Sequence, residues 1–122
     1  MLTYRHFIDE MVAVARRCVS ATRVRAHGHP VRTNESALPL DNEEAARKAL
    51  FLTLDPSQRE VLAQLLMSER EAAVHDVLAY LEWATATDAL DMKAAGAHFA
   101  GQQQETMHGD FVARLAGNPW RE

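Results

Sequence analysis

Residues 57–95, SQREVLAQLLMSEREAAVHDVLAYLEWATATDALDMKAA, run for thirty-nine positions with neither glycine nor proline, and they decide the fold. A strong helix start precedes them. Asp55 is a suitable N-cap, Pro56 suits the first helical position, and Gln58 can bond back to the cap. The sequence therefore predicts one helix from Pro56 to Ala86, about 46 Å long at about 1.5 Å per residue.

A helix of this length exceeds the width expected for so small a compact domain, whose radius of gyration should be about 14 Å. Two outcomes are open: the helix kinks near residues 67–71, or it projects into a partner subunit. We favour a continuous or mildly bent helix that makes a dimer contact.

The flanking segments also follow helical patterns. A first helix is expected from about Thr3 to about Arg25, ending at the glycine and proline of residues 27–30. Its apolar stripe comprises Tyr4, Phe7, Ile8, Met11, Val14, Ala15, Cys18 and Val19. A polar loop should follow over residues 28–40.

A short second helix should be capped by Asp41, and its narrow buried face should comprise Ala46, Ala49, Leu50 and Thr53. Residues 88–99 permit a helix, and a last helix is expected over residues 105–116, closed by Gly117. No segment alternates with period two, so we expect essentially no sheet. The predicted fold is all-α: a single domain, residues 1–122, forming a bundle of four to five helices with one long central helix.

Composition limits the cellular setting. The chain has 122 residues, of which 48% are hydrophobic and 25% charged, as in ordinary soluble domains. No apolar run approaches the roughly 20 residues of a membrane span, and early charges argue against a signal peptide. The single Cys18 cannot form an internal disulfide, so we expect a cytoplasmic protein without a membrane partner.

Charge is unevenly distributed along the chain. Six arginines and two acids give residues 1–34 a charge of +4, whereas seven basic and fifteen acidic side chains give the remainder −8. Nucleic-acid binding would use the arginines of this first segment: Arg16, Arg17, Arg23, Arg25 and Arg32. We favour a structural role, because the acidic remainder would repel nucleic acid.

Two acids fall on the predicted apolar face of the long helix. Glu69 and Asp76 lie within about 60° of a line of apolar side chains. Burying either one unpaired would cost several kcal/mol, so each needs a partner or a place at the rim. A polar pocket in the bundle core is the functional alternative.

Two pairs of side chains, each a glutamate and a histidine, could hold a metal. Glu71 and His75 lie one turn apart, and Glu105 and His108 have the Glu-x-x-His spacing that di-iron bundles use twice. This chain has the Glu-x-x-His spacing only once, so half of the di-iron pattern is missing. The simpler interpretation is that each glutamate and histidine form a pair on the surface, and we expect no cofactor.

The segment around His108 and Asp110 could supply an acid or base. With Glu69 and Asp76 they would form a four-residue catalytic site. The simpler alternative is that the last helix begins at Gly109 and that His108 or Asp110 caps it.

Two segments, EREAAVHDVLAYLEW at 69–83 and HGDFVARLAGNPW at 108–120, resemble a group of small uncharacterised bacterial helical proteins, classed as domains of unknown function. The resemblance implies a bacterial cytoplasmic origin and carries no activity. It suggests that seven residues form one group: Glu69, Arg70, His75, Asp76, His108, Asp110 and Arg114.

The sequence favours a non-enzymatic binding or interaction module that acts as a homodimer. The alternatives are an enzyme with a carboxylate and histidine site, for a small molecule or metal, and a nucleic-acid binder. The partner could be another protein or a small molecule.

Overall fold

The structure, a computed structural model, describes residues 2–26 and 42–122, and there the chain is mainly helical with one very small sheet. The prediction of an all-α fold is confirmed at this level. In chain order the elements are α1 (Tyr4–Arg16), α2 (Val19–Arg25), α3 (Asn42–Leu52), α4 (Pro56–Ala86), β1 (Lys93–Ala94), β2 (Ala97–His98) and α5 (Met107–Leu115). The predicted helix stop at 27–30, the loop at 28–40 and the cap at Asp41 lie outside the described residues.

The start of α4 is built as the sequence predicts. The backbone N–H of Gln58 donates to Asp55 Oδ1 at 2.8 Å, and the N–H of Asp55 donates to Gln58 Oε1 at 3.0 Å. The hydroxyl of Ser57 donates to the same Asp55 oxygen at 2.7 Å. These reciprocal bonds form a capping box, and the helix runs for 31 residues from Pro56 to Ala86.

Replacing Asp55 by alanine is expected to lower Tm at neutral pH, because two donors at the helix start lose their acceptor. Bonding from the Gln58 N–H and then from the Ser57 hydroxyl lowers the pKa of Asp55 below its usual 3.8. The stabilisation is therefore present above that pH and disappears on acidification through the depressed pKa. Thermal melts of the two proteins should approach each other in acid, and Asp55→Asn, which keeps an acceptor but not the charge, should melt between them at neutral pH. A constant Tm difference across pH would contradict this assignment.

The first helix is not continuous, which corrects the prediction of one helix from Thr3 to Arg25. α1 ends at Arg16, and α2 begins at Val19 after Cys18 takes an extended conformation, with φ −94° and ψ 95°. No glycine or proline marks the break. Its cause is tertiary, since Ala15 packs in one hydrophobic cluster and Cys18 in another. Helix propensity alone therefore does not predict the break between α1 and α2.

The segment after α4 is also not helical, which corrects the expectation for residues 88–99. Asp88 takes a left-handed conformation, φ 59°, and the N–H of Ala89 donates to the carbonyl of Ala84 at 2.9 Å. This is a Schellman ending with Asp in place of the usual glycine. Ala95 and Gly96, both at positive φ, then form the two-residue turn of the β1–β2 hairpin.

The chain divides into two compact units, residues 1–16 with 70–122, and residues 17–69. The expectation of a single domain stays a prediction. In the first unit α1 packs against α5. Its buried core comprises Tyr4, Ile8, Val12, Ala15, Leu78, Ala94, Phe99, Met107 and Phe111. Most of the predicted α1 stripe is therefore buried or partly buried, whereas Val19 is exposed.

The second unit has a smaller core, formed by Cys18, Ala21, Val24, Phe51 and Ala63. The buried face predicted for α3 is wrong, because Ala46, Ala49, Leu50 and Thr53 are all exposed. Glu44 and Phe51 are the buried side chains of that helix. The charged Arg59 of α4 is also buried here, and its two bonds to carbonyls explain how.

Candidate functional site

The principal polar cluster lies where the second half of α4 meets the start of α5. The rings of His75 and His108 contact each other edge to face, with centroids 5.3 Å apart and planes at 89°. Both side chains are half-buried. Two histidines distant in the chain are therefore brought together, and each comes from one of the two segments that carried the sequence resemblance.

The nitrogens of this histidine pair have different surroundings. His75 Nδ1 lies 3.1 Å from Asp76 Oδ1, and His108 Nε2 lies 3.5 Å from the hydroxyl of Thr106. His108 Nδ1 is buried and has no hydrogen-bond partner within the described residues. An unsatisfied buried imidazole nitrogen is costly, so it marks a place where a ligand would be stabilising.

α5 begins at Met107, with Thr106 as its N-cap, which corrects the expectation of a start at Gly109 capped by His108 or Asp110. Thr106 Oγ1 accepts the N–H of Gly109 at 2.9 Å. A Cβ at position 109 would lie 2.8 Å from that oxygen, so a larger residue would displace the cap. The close approach explains why glycine occupies a helix interior position.

Glu82 anchors the start of α5 from α4. Its Oε2 accepts the backbone N–H of Met107 at 2.9 Å and the side-chain amide of Gln103 at 3.2 Å. A carboxylate at a helix N-terminus is favoured by the helix dipole and satisfies an orphan donor. Glu82 therefore has a structural explanation.

Asp110 is the most completely bonded acid among the described residues. It is buried, and it accepts the hydroxyl of Tyr4 at 2.6 Å and the N–H groups of Gln104 and Glu105 at 3.0 and 3.1 Å. Burial, followed by the bond to Asp110, raises the pKa of Tyr4 far above its ordinary value. The phenol therefore stays protonated and donates. This arrangement ties α1 to α5 and to the loop before it.

The inward face predicted for α4 is wrong. Glu69 and Asp76 are exposed, and the Asp76 side chain is 80% accessible. Glu71, His75 and Glu82, which lie on the other side of the helix, are the half-buried residues. The physical reason is that α4 carries apolar side chains around most of its circumference, so its pattern does not fix which side faces the core.

The four candidate catalytic residues are not gathered in one place. Among the main cavities of the described chain, one of about 330 Å³ is lined by Asp110, and none of those cavities is lined by Glu69, Asp76 or His108. Within the described residues, one contact joins predicted site residues of different helices: the ring of His75 on α4 touches the ring of His108 on α5. A catalytic role for the four acids and bases stays a prediction without geometric support.

The four metal candidates are partly brought together. His75 and His108 meet, whereas Glu105 lies 3.5 Å from Arg121 in an exposed ion pair. Within residues 2–26 and 42–122, no group of three His, Cys, Asp or Glu side chains is already arranged around one point. Any metal site would therefore need a side chain to move.

The arginines proposed for nucleic acid are partly engaged in the fold. Arg16 donates to the carbonyl of Leu115 at 2.7 Å, and Arg25 forms a bidentate pair with Glu60 at 2.9 and 3.0 Å. Arg32 lies outside the described residues. Nucleic-acid binding through Arg16, Arg17, Arg23, Arg25 and Arg32 stays a prediction.

An apolar groove of about 250 Å³ lies between α1 and the second half of α4. We call it the α1–α4 groove; its lining comprises Met11, Val14, Arg70, Ala73, Val74, Val77, Leu78 and Leu81. Val77 is 59% exposed, and on the same helix Tyr80 and Trp83 are also more than half exposed, with their rings in contact at 5.8 Å.

These features define a class: a small, mainly helical protein with a histidine pair at the α4–α5 junction and an exposed apolar groove. The chain belongs to DUF6547, a family of unknown function, whose family model matches residues 1–122. The resemblance to domains of unknown function is thus confirmed. No curated protein and no solved structure matches the chain. None of the helices in the described ranges is both long and apolar enough to cross a bilayer.

Proposed function

We propose that this protein is a non-enzymatic interaction module that acts as a homodimer in the cytoplasm. In this proposal the helices form a bundle with α4 as its long central member, and the α1–α4 groove is the contact surface. The observation that carries the proposal is the apolar α1–α4 groove itself, where Val77 is 59% exposed on a helix whose pattern otherwise indicates burial. Exposed apolar patches of this kind commonly mark interaction sites.

A second copy of the chain is the partner that fits this surface best. If two α4 helices cross antiparallel about Ala73, residue 70 of each copy faces residue 76 of the other. Arg70 then meets the exposed Asp76 of the second copy, so opposite charges pair twice across the two-fold axis. Ala73, small and exposed, allows close approach of the backbones at the crossing.

The groove also has a rigid frame suited to such a contact. Arg70 Nε donates to the carbonyl of Val14 at 2.9 Å, which ties the rim of α4 to α1. A stable dimer needs about 800 Å² of buried surface per partner. Tyr80 and Trp83, exposed on α4 about 10 and 15 Å from the crossing, supply large amphipathic side chains of the type enriched at interfaces.

Replacing Val77 by glutamate is expected to weaken dimerisation at least tenfold, because the new carboxylate would be removed from water opposite Glu69 of the second copy, and the two like charges would repel. Sedimentation velocity over a range of protein concentrations measures the effect. Val112→Glu is the matched control, since Val112 is also about half exposed but lies on α5 away from the groove lining.

The natural protein should sediment as two chains, and Val112→Glu should do the same. A natural protein that remains monomeric at high micromolar concentration would refute the homodimer. Equal effects of the two substitutions would refute the groove as its interface. Charge reversal offers a further check: Arg70→Asp and Asp76→Arg should each weaken the dimer, and the double variant should recover part of the loss.

A further inference from the structure

We propose that the α4–α5 junction binds one divalent transition-metal ion, Zn²⁺ above all, through His75, His108 and the carboxylate of Glu71. None of its three ligands belongs to the proposed dimer contact, although Asp76, which faces His75, also takes part in that contact. The distance between the two imidazole rings is the first argument. Rings that share a tetrahedral Zn²⁺ through bonds of about 2.0 Å have centres about 5 Å apart. The observed separation of the centroids is 5.3 Å.

The hydrogen bonding of His75 is the second argument. Its Nδ1 faces the carboxylate of Asp76 at 3.1 Å, which leaves Nε2 as the nitrogen free for a metal. Metal-binding histidines almost always donate their other ring N–H to a carboxylate, carbonyl or water. Asp76 would thus act as a positioning residue that fixes the tautomer of His75.

The unsatisfied nitrogen of His108 is the third and most specific argument. Nδ1 is buried without a hydrogen-bond partner within the described residues, and the ring is in contact with that of His75. A neutral imidazole nitrogen with a free lone pair is a good ligand for Zn²⁺. Coordination would remove the cost of leaving this atom unpaired.

Glu71 supplies the third ligand. It lies one turn before His75 on α4, so their Cβ atoms are about 6 Å apart on the same face. The side chain is half-buried, and within the described residues its carboxylate has no hydrogen bond or ion pair. Because no group of three ligands is preassembled in the described chain, Glu71 has to rotate toward the histidines on binding. A His₂Glu set leaves a fourth, tetrahedral position for water.

The test is a titration of the purified full chain with Zn²⁺ by isothermal calorimetry, with Co²⁺ absorption as a report on geometry. We expect one equivalent to bind, a tetrahedral Co²⁺ spectrum, and a rise of Tm with Zn²⁺. His75→Ala and His108→Ala should each weaken binding at least tenfold. Glu71→Gln should weaken it less and change the Co²⁺ spectrum. Binding should fade in acid, because protons compete for the ligands.

Two controls separate this site from other histidines of the chain. His98→Ala removes an exposed histidine that is paired with Asp91 at 2.6 Å, and it should leave binding unchanged. His27→Ala/His29→Ala removes two histidines that the sequence places two positions apart, a spacing that could also bind a metal, and it should leave one equivalent bound. The proposal would be overturned if the natural protein did not bind Zn²⁺. It would also be overturned if His27→Ala/His29→Ala lost binding or if His75→Ala kept it. His75→Ala keeps the test valid even if His108→Ala fails to fold.

Discussion

Asp110→Ala is expected to lower the free energy of unfolding by about 3–5 kcal/mol, the range for removing one partner of a buried charged network. Three donors lose their acceptor together: the hydroxyl of Tyr4 and the N–H groups of Gln104 and Glu105. The Tyr4 hydroxyl belongs to a side chain that is only 1% exposed, so water cannot readily replace the lost acceptor. Urea denaturation followed by circular dichroism measures the change.

One further variant separates the contribution of the Tyr4 hydroxyl from this loss, and another serves as a control. Tyr4→Phe removes one donor and leaves the two backbone bonds, so we expect a loss of about 1–2 kcal/mol. Glu10→Ala, which removes an exposed acid from α1, should change stability by less than about 0.5 kcal/mol. A loss below about 1 kcal/mol for Asp110→Ala would show that the buried carboxylate is not what holds α1, α5 and the loop before α5 together.

The Tyr4–Asp110 bond also predicts an alkaline pH dependence. Burial, and then the bond to Asp110, raises the pKa of Tyr4 in the folded protein above the ordinary 10.0. A group whose pKa is raised on folding contributes stability that is complete below its unfolded pKa and is lost as pH rises beyond it. The stability of the natural protein should therefore fall above pH 10 more steeply than that of Tyr4→Phe.

Two features that depend on local chemistry are predicted correctly from the sequence: the capping box at Asp55 and Gln58 and the end of α5 at Gly117. Gly117 takes φ 86°, its N–H bonds the carbonyl of Arg114 at 3.0 Å, and the helix closes in a Schellman motif. Such signals lie within a few residues, so a single sequence contains all of the information.

The rotation of α4 about its own axis could not be predicted in the same way. Val61, Leu65, Val77, Tyr80 and Trp83 are all more than half exposed, although each would suit a core. A helix that is apolar on several sides provides more than one plausible inward face. Choosing among them requires knowledge of the contacts with α1 and α5. The assignment of Glu69 and Asp76 to a buried face failed for this reason.

The histidine pair illustrates a different limit. The sequence identified His75 and His108 as candidate ligands, each with a glutamate nearby, and the resemblance placed both in one group, but no sequence pattern explains how their helices meet. Their contact depends on Glu82, which holds the start of α5 against α4 through the N–H of Met107. A long-range bond of this kind, between residues 25 apart, has no local signature.

The second large effect concerns Arg59, a cation that is only 4% exposed in the core of the unit formed by residues 17–69. Its guanidinium donates to the carbonyl of Val24 at 2.9 Å and also to the carbonyl of Phe51. These carbonyls lie in the last turns of α2 and α3, where four backbone acceptors lack intrahelical donors. The planar fork of arginine is able to reach both helix ends at once.

Its position near the start of α4 makes this role clear. A positive charge in the first turn is disfavoured by the dipole of its own helix, whereas a positive charge at the ends of α2 and α3 is favoured. The charge of Arg59 therefore stabilises the ends of α2 and α3, and it does not stabilise α4. Arg59→Met keeps most of the side-chain volume and removes the charge and both bonds.

We expect Arg59→Met to lower the free energy of unfolding by about 2–4 kcal/mol, because its charge-assisted hydrogen bonds, including those to Val24 and Phe51, are lost and only part of that loss is offset by removing a buried charge. Arg59→Lys should recover only part of the loss, because an ammonium cannot match the fork. Arg23→Met, an exposed position on α2, should change stability by less than about 0.5 kcal/mol. Hydrogen exchange should accelerate first in α2 and α3. Equal stability of Arg59→Met and the natural protein would mean that desolvation of the guanidinium offsets everything its bonds contribute.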